Sequence, residues 1–121
     1  MNDYDAIKET VFHYYVGYRD KNRGRLEKAF SLEVAIMTGY IKNQEGKLEL
    51  FSMKMKDAIE QWVAPDYTPF ECSEGVMLAV DIFSSVGATV LFDFGGKYLE
   101  SYQLVKIDGS WLIVSKFIVN P

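Results

Sequence analysis

The stretch from Tyr98 to Val119, YLESYQLVKIDGSWLIVSKFIV, decides the fold of this chain. Two runs rich in β-branched and aromatic residues flank the pair Asp108-Gly109. An Asp-Gly pair between such runs is a strong hairpin signal, because both central residues of a type I′ turn need a positive φ. The stretch therefore predicts a long antiparallel hairpin that closes the domain.

Both faces of this hairpin are rich in apolar residues. A two-residue turn predicts these pairs on one face: Val105 with Leu112, Gln103 with Val114, Ser101 with Lys116 and Leu99 with Ile118. It predicts these on the other: Leu104 with Ile113, Tyr102 with Ser115, Glu100 with Phe117 and Lys106 with Trp111. In this register Glu100 and Lys116 lie on opposite faces, and a β-bulge would change that.

Apolar spacing in the rest of the chain predicts three helices and four more strands. Residues 4–19 repeat apolar side chains every three or four positions, which is typical of an amphipathic helix. Further helices are expected at 23–30 and, capped by Ser52, at 52–63. Strands are expected at 33–42, 47–51, 70–83 and 88–94.

This order predicts a single α+β domain over residues 1–121, with three helices on one face of a curved antiparallel sheet. Three helices are enough to cover only one face of the sheet. Because the other face is also apolar, we expect the chain to form a homodimer through the sheet.

Composition argues against several classes of function. The net charge is −4 and the pI about 5.0, whereas nucleic-acid binders usually carry a basic stripe. No apolar run approaches the length of a membrane span, and the first twenty residues lack the apolar core of a signal peptide. We therefore expect a cytoplasmic protein that binds neither nucleic acid nor membrane.

Metal and cofactor signals are also missing from the sequence. The only cysteine is Cys72 and the only histidine is His13, so neither a disulfide nor a multi-histidine metal site is expected. No phosphate-binding or dinucleotide fingerprint occurs, so no cofactor is predicted. His13 is expected to be a surface histidine paired with an acid, with a role as general base or ligand contact as the alternative.

The element order and the ending LVKIDGSWLIVSK resemble the nuclear transport factor 2-like superfamily of cone-shaped α+β folds, which are also called cystatin-like. The resemblance is closer to its subgroup of small bacterial proteins described as putative lumazine-binding. The segments VGYRD and LEKAF also resemble the helix pattern of that subgroup. The matching residues of the ending are Leu104, Lys106, Asp108, Gly109, Trp111, Ile113 and Lys116. Glu100 stands where Asp is usual, and Ser101 where Tyr is usual.

The resemblance covers essentially the whole chain and implies the fold more than one function, because the superfamily includes isomerases, dehydratases, cyclases, hydrolases and non-enzymatic binders. Its isomerases and dehydratases use a pocket carboxylate, often beside a tyrosine. Glu100 is the residue of this chain that fits such a role, and the tyrosines available beside it are Tyr14, Tyr15, Tyr18 and Tyr102.

Two charged residues interrupt the apolar faces of the hairpin. If Glu100 faces the interior, loss of solvation should raise its pKa and suit it to acid or base chemistry. The alternative is a Glu100 that pairs with a neighbouring Lys or Tyr, or that faces solvent. Lys116 is interpreted as an anion contact in a pocket or across a dimer, or as a lysine whose ammonium reaches water at the rim.

Three hypotheses follow for the function. The first is a dimeric cone whose interior apolar pocket binds a small organic ligand. The second is an enzyme that transfers a proton next to a carbonyl or dehydrates its substrate, with Glu100 as base. The third is an interaction domain whose pocket is filled by side chains. The residues expected to line the pocket are Tyr14, Tyr15, Tyr18, Met37, Trp62, Glu100, Tyr102 and Lys116, with Tyr40, Met55, Phe92 and Phe117 as weaker candidates that core packing also explains.

Overall fold

The computed structural model describes residues 1–121 and contains three helices and six strands. In chain order the elements are α1 (Asp3–Arg19), α2 (Arg23–Ala29), β1 (Ile36–Lys42), β2 (Leu48–Lys54), α3 (Met55–Val63), β3 (Val76–Ile82), β4 (Gly87–Phe94), β5 (Tyr98–Ile107) and β6 (Ser110–Val119). The number and order of helices and strands are as the sequence predicts.

The six strands form one curved, unclosed sheet in the order β2-β1-β6-β5-β4-β3. Neighbouring strands are antiparallel except β1 and β6, which are parallel and place Met37 opposite Lys116. This pair departs from the purely antiparallel sheet that the sequence suggests. It arises because the β1–β2 hairpin adds to the free edge of the last strand rather than to a sequence neighbour.

The first two helices begin at side-chain caps. Asn2 accepts a hydrogen bond from the Asp5 amide at 2.8 Å, and Asn22 accepts one from the Arg25 amide at 3.1 Å. The inner side of α1 packs on the sheet and ends in a buried Tyr18. The first turn of α1 also holds the hairpin, because Asp3 Oδ1 accepts the indole N–H of Trp111 at 3.0 Å.

Three of the predicted boundaries are wrong. The strand predicted at 33–42 begins at Ile36. Ser52 does not cap a helix: it lies in β2 opposite Thr38, and α3 begins only at Met55. Pairing with β1 extends β2 to Lys54, so the sheet overrides the local capping signal. The strand predicted at 70–83 begins at Val76, because residues 64–75 form a loop that contains Cys72.

The predicted register of the last hairpin holds only near its turn. Val105 pairs with Leu112 and Leu104 with Ile113, as expected, and then the register shifts by one residue at Val114. The remaining pairs are Gln103 with Ser115, Tyr102 with Lys116, Ser101 with Phe117, Glu100 with Ile118 and Leu99 with Val119. The predicted pairs of Ser101 with Lys116, Glu100 with Phe117, Tyr102 with Ser115, Gln103 with Val114 and Leu99 with Ile118 are therefore wrong.

This bulge decides where the two charged residues point. An extra residue in one strand turns every later side chain of that strand to the other face. As a result Glu100, Tyr102 and Lys116 are all buried on the inner face of the sheet, beneath the helices.

The opposite face of the sheet is uncovered and partly apolar. Its exposed apolar side chains include Tyr40, Leu50, Leu91, Leu99 and Phe117.

No helix of the chain is both long enough and apolar enough to cross a membrane.

Candidate functional site

A cavity of about 180 Å³ lies between α1, α3, the loop at 64–75 and the inner face of the sheet. Ten of its twelve lining residues are hydrophobic or aromatic, and the other two are Glu100 and Lys116. The full lining is Tyr14, Tyr18, Met37, Ile41, Phe51, Trp62, Tyr67, Phe70, Tyr98, Glu100, Lys116 and Ile118. The cavity is therefore an apolar space with a single pair of opposite charges in its wall.

The carboxylate of Glu100 is held through one of its two oxygens. The hydroxyls of Tyr14 and Tyr102 donate to Oε1 at 3.1 Å and 2.8 Å, and Lys116 Nζ lies 3.8 Å from the same atom. None of these three contacts reaches Oε2. The second oxygen therefore remains available to accept a hydrogen bond from a ligand.

Lys116 is buried, with only 2 % of its side chain exposed, and lacks a close oxygen partner. Its ammonium contacts Met37 Sδ at 3.4 Å and lies 4.4 Å and 4.9 Å from the ring centres of Tyr14 and Trp62. Aromatic faces attract a cation, but an ammonium has three donors, and a thioether is a weak acceptor. The cavity wall thus holds a cation whose hydrogen-bonding capacity is largely unused.

Burial moves both pKa values of this pair toward neutrality. Loss of solvation raises the pKa of Glu100 and outweighs the opposing effects of Lys116, Tyr102 and Tyr14. Loss of solvation also lowers the pKa of Lys116 from 10.5 to about 8, against the opposing attraction of Glu100. A proton can therefore pass between the two groups at a smaller free-energy cost than between solvated side chains.

The two tyrosines are fixed as donors. Burial raises the pKa values of Tyr14 and Tyr102 far above the ordinary value of 10.0, and the neighbouring carboxylate of Glu100 raises them further. Both hydroxyls therefore stay protonated, and they orient the carboxylate through hydrogen bonds.

Two aromatic side chains from the loop form part of the cavity wall. The hydroxyls of Tyr67 and Tyr18 form a hydrogen bond of 2.6 Å, and the Phe70 amide donates to the Tyr18 hydroxyl at 3.2 Å. Lys97 Nζ lies 5.6 Å from the Phe70 ring centre and 5.9 Å from that of Tyr98. Sequence reasoning missed six of the lining residues, which are Ile41, Phe51, Tyr67, Phe70, Tyr98 and Ile118. The only signal for Tyr67 and Phe70 is that an aromatic residue stands on each side of Pro69.

The structure brings most of the predicted pocket residues together. The cavity wall includes Tyr14, Tyr18, Met37, Trp62, Glu100 and Lys116. Tyr102 is not in the wall, but its hydroxyl donates a hydrogen bond to Glu100. Tyr15 lies elsewhere: its hydroxyl donates to the Ser73 carbonyl and lies 3.6 Å from Cys72 Sγ.

The weaker candidates lie outside the cavity. Met55 and Phe92 are buried in the core, whereas Tyr40 and Phe117 are exposed on the uncovered face of the sheet. His13 sits 3.6 Å from Glu9 on α1, where a wide surface groove of about 560 Å³ runs toward the β5–β6 turn. That groove has four hydrophobic residues among its eleven and does not include the buried charged pair, so the cavity is the better candidate site.

Comparisons with known proteins support the fold. A family model described as putative lumazine-binding matches residues 2–118. No curated protein matches the chain. Among solved structures, an NTF2-like protein of unknown function from Shewanella baltica OS155 has a TM-score of 0.73 and 22 % identity, over 96 % of this chain and 91 % of that chain.

Two further structures are similar at lower identity. A domain of unknown function with a cystatin-like fold from Nostoc punctiforme PCC 73102 has a TM-score of 0.70 and 16 % identity, over 98 % of this chain and 77 % of that one. A ketosteroid isomerase-like protein from Erwinia carotovora atroseptica SCRI1043 has a TM-score of 0.67 and 12 % identity, over 98 % and 97 %. These likenesses confirm the cone-shaped α+β fold that the sequence predicts.

Proposed function

This chain belongs to the putative lumazine-binding family, and we propose on that premise that it binds a small organic ligand in the cavity beneath α1. One observation carries the proposal: a cavity whose wall is apolar apart from Glu100 holds the ammonium of Lys116, and the nearest carboxylate oxygen is 3.8 Å from it. A buried ammonium whose donors are only weakly satisfied is costly, and a ligand that supplies an oxygen acceptor recovers part of that cost.

The size and lining of the cavity restrict the ligand. An apolar cavity of about 150 Å³ holds benzene, so the 180 Å³ present here suits a compact molecule of one or two small rings. The rings of Tyr14 and Trp62 favour a flat aromatic ligand. Lys116 favours one that carries an oxygen acceptor.

We expect compact aromatic compounds with an oxygen acceptor to raise the melting temperature. At a concentration one hundred times Kd the stabilisation is about 2.7 kcal/mol, which corresponds to a shift on the order of 10 °C for a domain of this size. A thermal-shift panel of pterins, flavins, steroids and one-ring aromatics measures this effect. Flavins and steroids should have the smallest effects because they exceed the cavity volume.

A cavity-filling variant tests the location of binding. Ile41→Phe places a ring in the half-buried cavity wall and should reduce the ligand-induced shift, whereas Leu78→Phe adds the same ring at an exposed position outside the cavity. Equal shifts in the two variants would place the ligand elsewhere. No shift with any compound would favour an interaction domain instead.

The uncovered face of the sheet supports a homodimer. Phe117 is 41 % exposed near the middle of that face, and its neighbours there, Thr38 and Ser101, are uncharged. A neutral apolar patch on a chain of net charge −4 lets a second copy approach without placing like charges in contact. Because a two-fold dimer uses the same patch twice, one such face is sufficient.

Light scattering at micromolar concentration should give twice the chain mass of 13.9 kDa. Phe117→Lys should halve that mass, because it buries two unpaired ammonium groups in the proposed interface. Phe83→Lys is the matched control, since Phe83 is 62 % exposed in the turn before β4. A single-chain mass for the unmodified protein would refute the dimer.

The contacts of Glu100 also favour a second candidate function, which is proton transfer next to a carbonyl group or dehydration. Its pKa is raised by burial, Oε2 is unoccupied by the tyrosines, and Tyr14 supplies a hydroxyl next to the carboxylate. A structure described as ketosteroid isomerase-like shares the fold. The ligand panel separates the two functions: recovery of every compound unchanged favours binding alone, and a new product favours the enzyme.

A further inference from the structure

The amine of Lys116 combines three features that seldom occur together in a lysine. It lies in the wall of an apolar cavity, it is 3.8 Å from a carboxylate, and its closest contact is a thioether at 3.4 Å. An ordinary buried lysine forms short hydrogen bonds to oxygen atoms, which occupy its donors. Here the nitrogen is open to a molecule in the cavity.

We propose that Lys116 forms an imine with a small aromatic aldehyde or ketone bound in the cavity, and that Glu100 moves the protons of this reaction. The proposal rests on the proposed function, because the carbonyl compound must first bind in the cavity. It names a chemical class for the ligand and makes the binding covalent and reversible.

The surroundings of Lys116 supply what imine formation requires. The attacking amine must be neutral, and burial in an apolar site lowers the pKa of Lys116 to about 8. At neutral pH, the neutral fraction of a lysine with that pKa is far larger than the neutral fraction of a lysine in water. A carboxyl group must donate and accept protons, and Glu100 lies beside the amine with Oε2 free of tyrosine hydrogen bonds.

The reaction balances with these two groups alone. Glu100 accepts a proton from the Lys116 ammonium, and the amine lone pair then forms a C–N bond while the C=O π bond breaks. The resulting oxygen takes the proton of Glu100 to give a carbinolamine. A second proton from nitrogen, carried by Glu100, lets the hydroxyl leave as water, and the C=N bond forms. One ammonium and one carbonyl become one protonated imine and one water.

The charge balance of the site favours this product. The protonated imine carries the same positive charge as the ammonium it replaces, so Glu100 keeps its counter-ion. The ring of an aromatic carbonyl compound would contact Tyr14 and Trp62, whose faces already lie 4.4 Å and 4.9 Å from Nζ.

Reduction with borohydride tests the proposal. The unmodified protein is incubated with benzaldehyde, reduced, digested and mapped by mass spectrometry. A parallel incubation uses borohydride and benzyl alcohol, which has the ring and an oxygen acceptor but no carbonyl group. We expect one benzyl group on Lys116, at least about tenfold above the label on any other lysine, given a pKa of about 8 against the usual 10.5. The double variant Glu100→Gln/Lys116→Met, which has no charge left unpaired, should lose this label and retain the weak label on other lysines.

The outcomes separate this inference from the proposed function. If benzyl alcohol raises the melting temperature but benzaldehyde leaves Lys116 unlabelled, the cavity binds ligands and the imine is refuted. If neither compound raises the melting temperature and no label forms, both proposals fail. Equal labelling of Lys116 and the exposed lysines also overturns the imine, because it shows no selective activation.

Discussion

Glu100→Gln is expected to lower the free energy of unfolding by about 3–5 kcal/mol, as removal of one partner from a buried ion pair usually does. The variant leaves the Lys116 ammonium inside the protein with no opposite charge. Met37 and the ring of Tyr14 do not replace a carboxylate, because neither carries a negative charge. Urea denaturation at pH 7 measures the loss.

The double variant shows that the loss comes from the unpaired charge. Glu100→Gln/Lys116→Met removes both charges and keeps an acceptor for Tyr14 and Tyr102, so it should cost much less than the sum of the two single variants. Glu60→Gln breaks the exposed pair with Arg23 and should leave stability almost unchanged. Additive losses at Glu100 and Lys116 would show that the two groups do not interact.

The loss in Glu100→Gln should also depend on pH in a defined direction. A lysine whose pKa is lower in the folded state than its unfolded value of 10.5 binds its proton more weakly when folded. Its cost is complete below the folded pKa and disappears above 10.5, so stability increases with pH across that interval. Without Glu100 the folded pKa falls further, and the deficit measured at pH 7 should therefore shrink toward pH 10.

The turn of the hairpin was predictable from two residues, whereas its register was not. Asp108 and Gly109 have φ values of 50° and 82°, as the Asp-Gly signal requires. The bulge at Val114 leaves no comparable signal, because apolar residues follow one another on both sides of it and each register buries an apolar set. The meeting of Glu100 with Lys116 therefore depends on packing beneath the helices.

The loop at 64–75 shows a second limit of local patterns. Phe70 begins a run that resembles a strand in composition, yet the Ser73 amide donates to Gly95 at 2.8 Å outside any strand ladder. This long-range contact fixes the end of the loop, whereas the hydroxyl of Tyr18 contacts Tyr67 and Phe70 in the cavity wall. The caps at Asn2 and Asn22 act on amides three residues away, whereas the cap predicted at Ser52 fails because β2 continues through that residue.

Gly95→Ala is expected to destabilise the protein by about 2–5 kcal/mol, from backbone strain of about 1–2 kcal/mol and overpacking of about 1–3 kcal/mol. Gly95 has a φ of 63°, and an added Cβ would lie 2.6 Å from the Ser73 carbonyl oxygen and closer still to Cys72. The Ser73 amide and hydroxyl both donate to the Gly95 carbonyl, at 2.8 Å and 2.9 Å. The new methyl group therefore displaces the loop and weakens the hydrogen bonds between Ser73 and Gly95.

Gly109→Ala separates the two contributions, because Gly109 also has a positive φ, of 82°, but no atom within 4 Å of an added Cβ. It should lose only the strain of about 1–2 kcal/mol. The difference between the variants in urea denaturation measures the contact between the loop and Gly95. Since the same loop carries Phe70 and Tyr67 of the cavity wall, Gly95→Ala should also weaken ligand-induced stabilisation, whereas Gly109→Ala should not. Equal losses of stability and equal ligand effects in the two variants would show that the loop is held by other contacts.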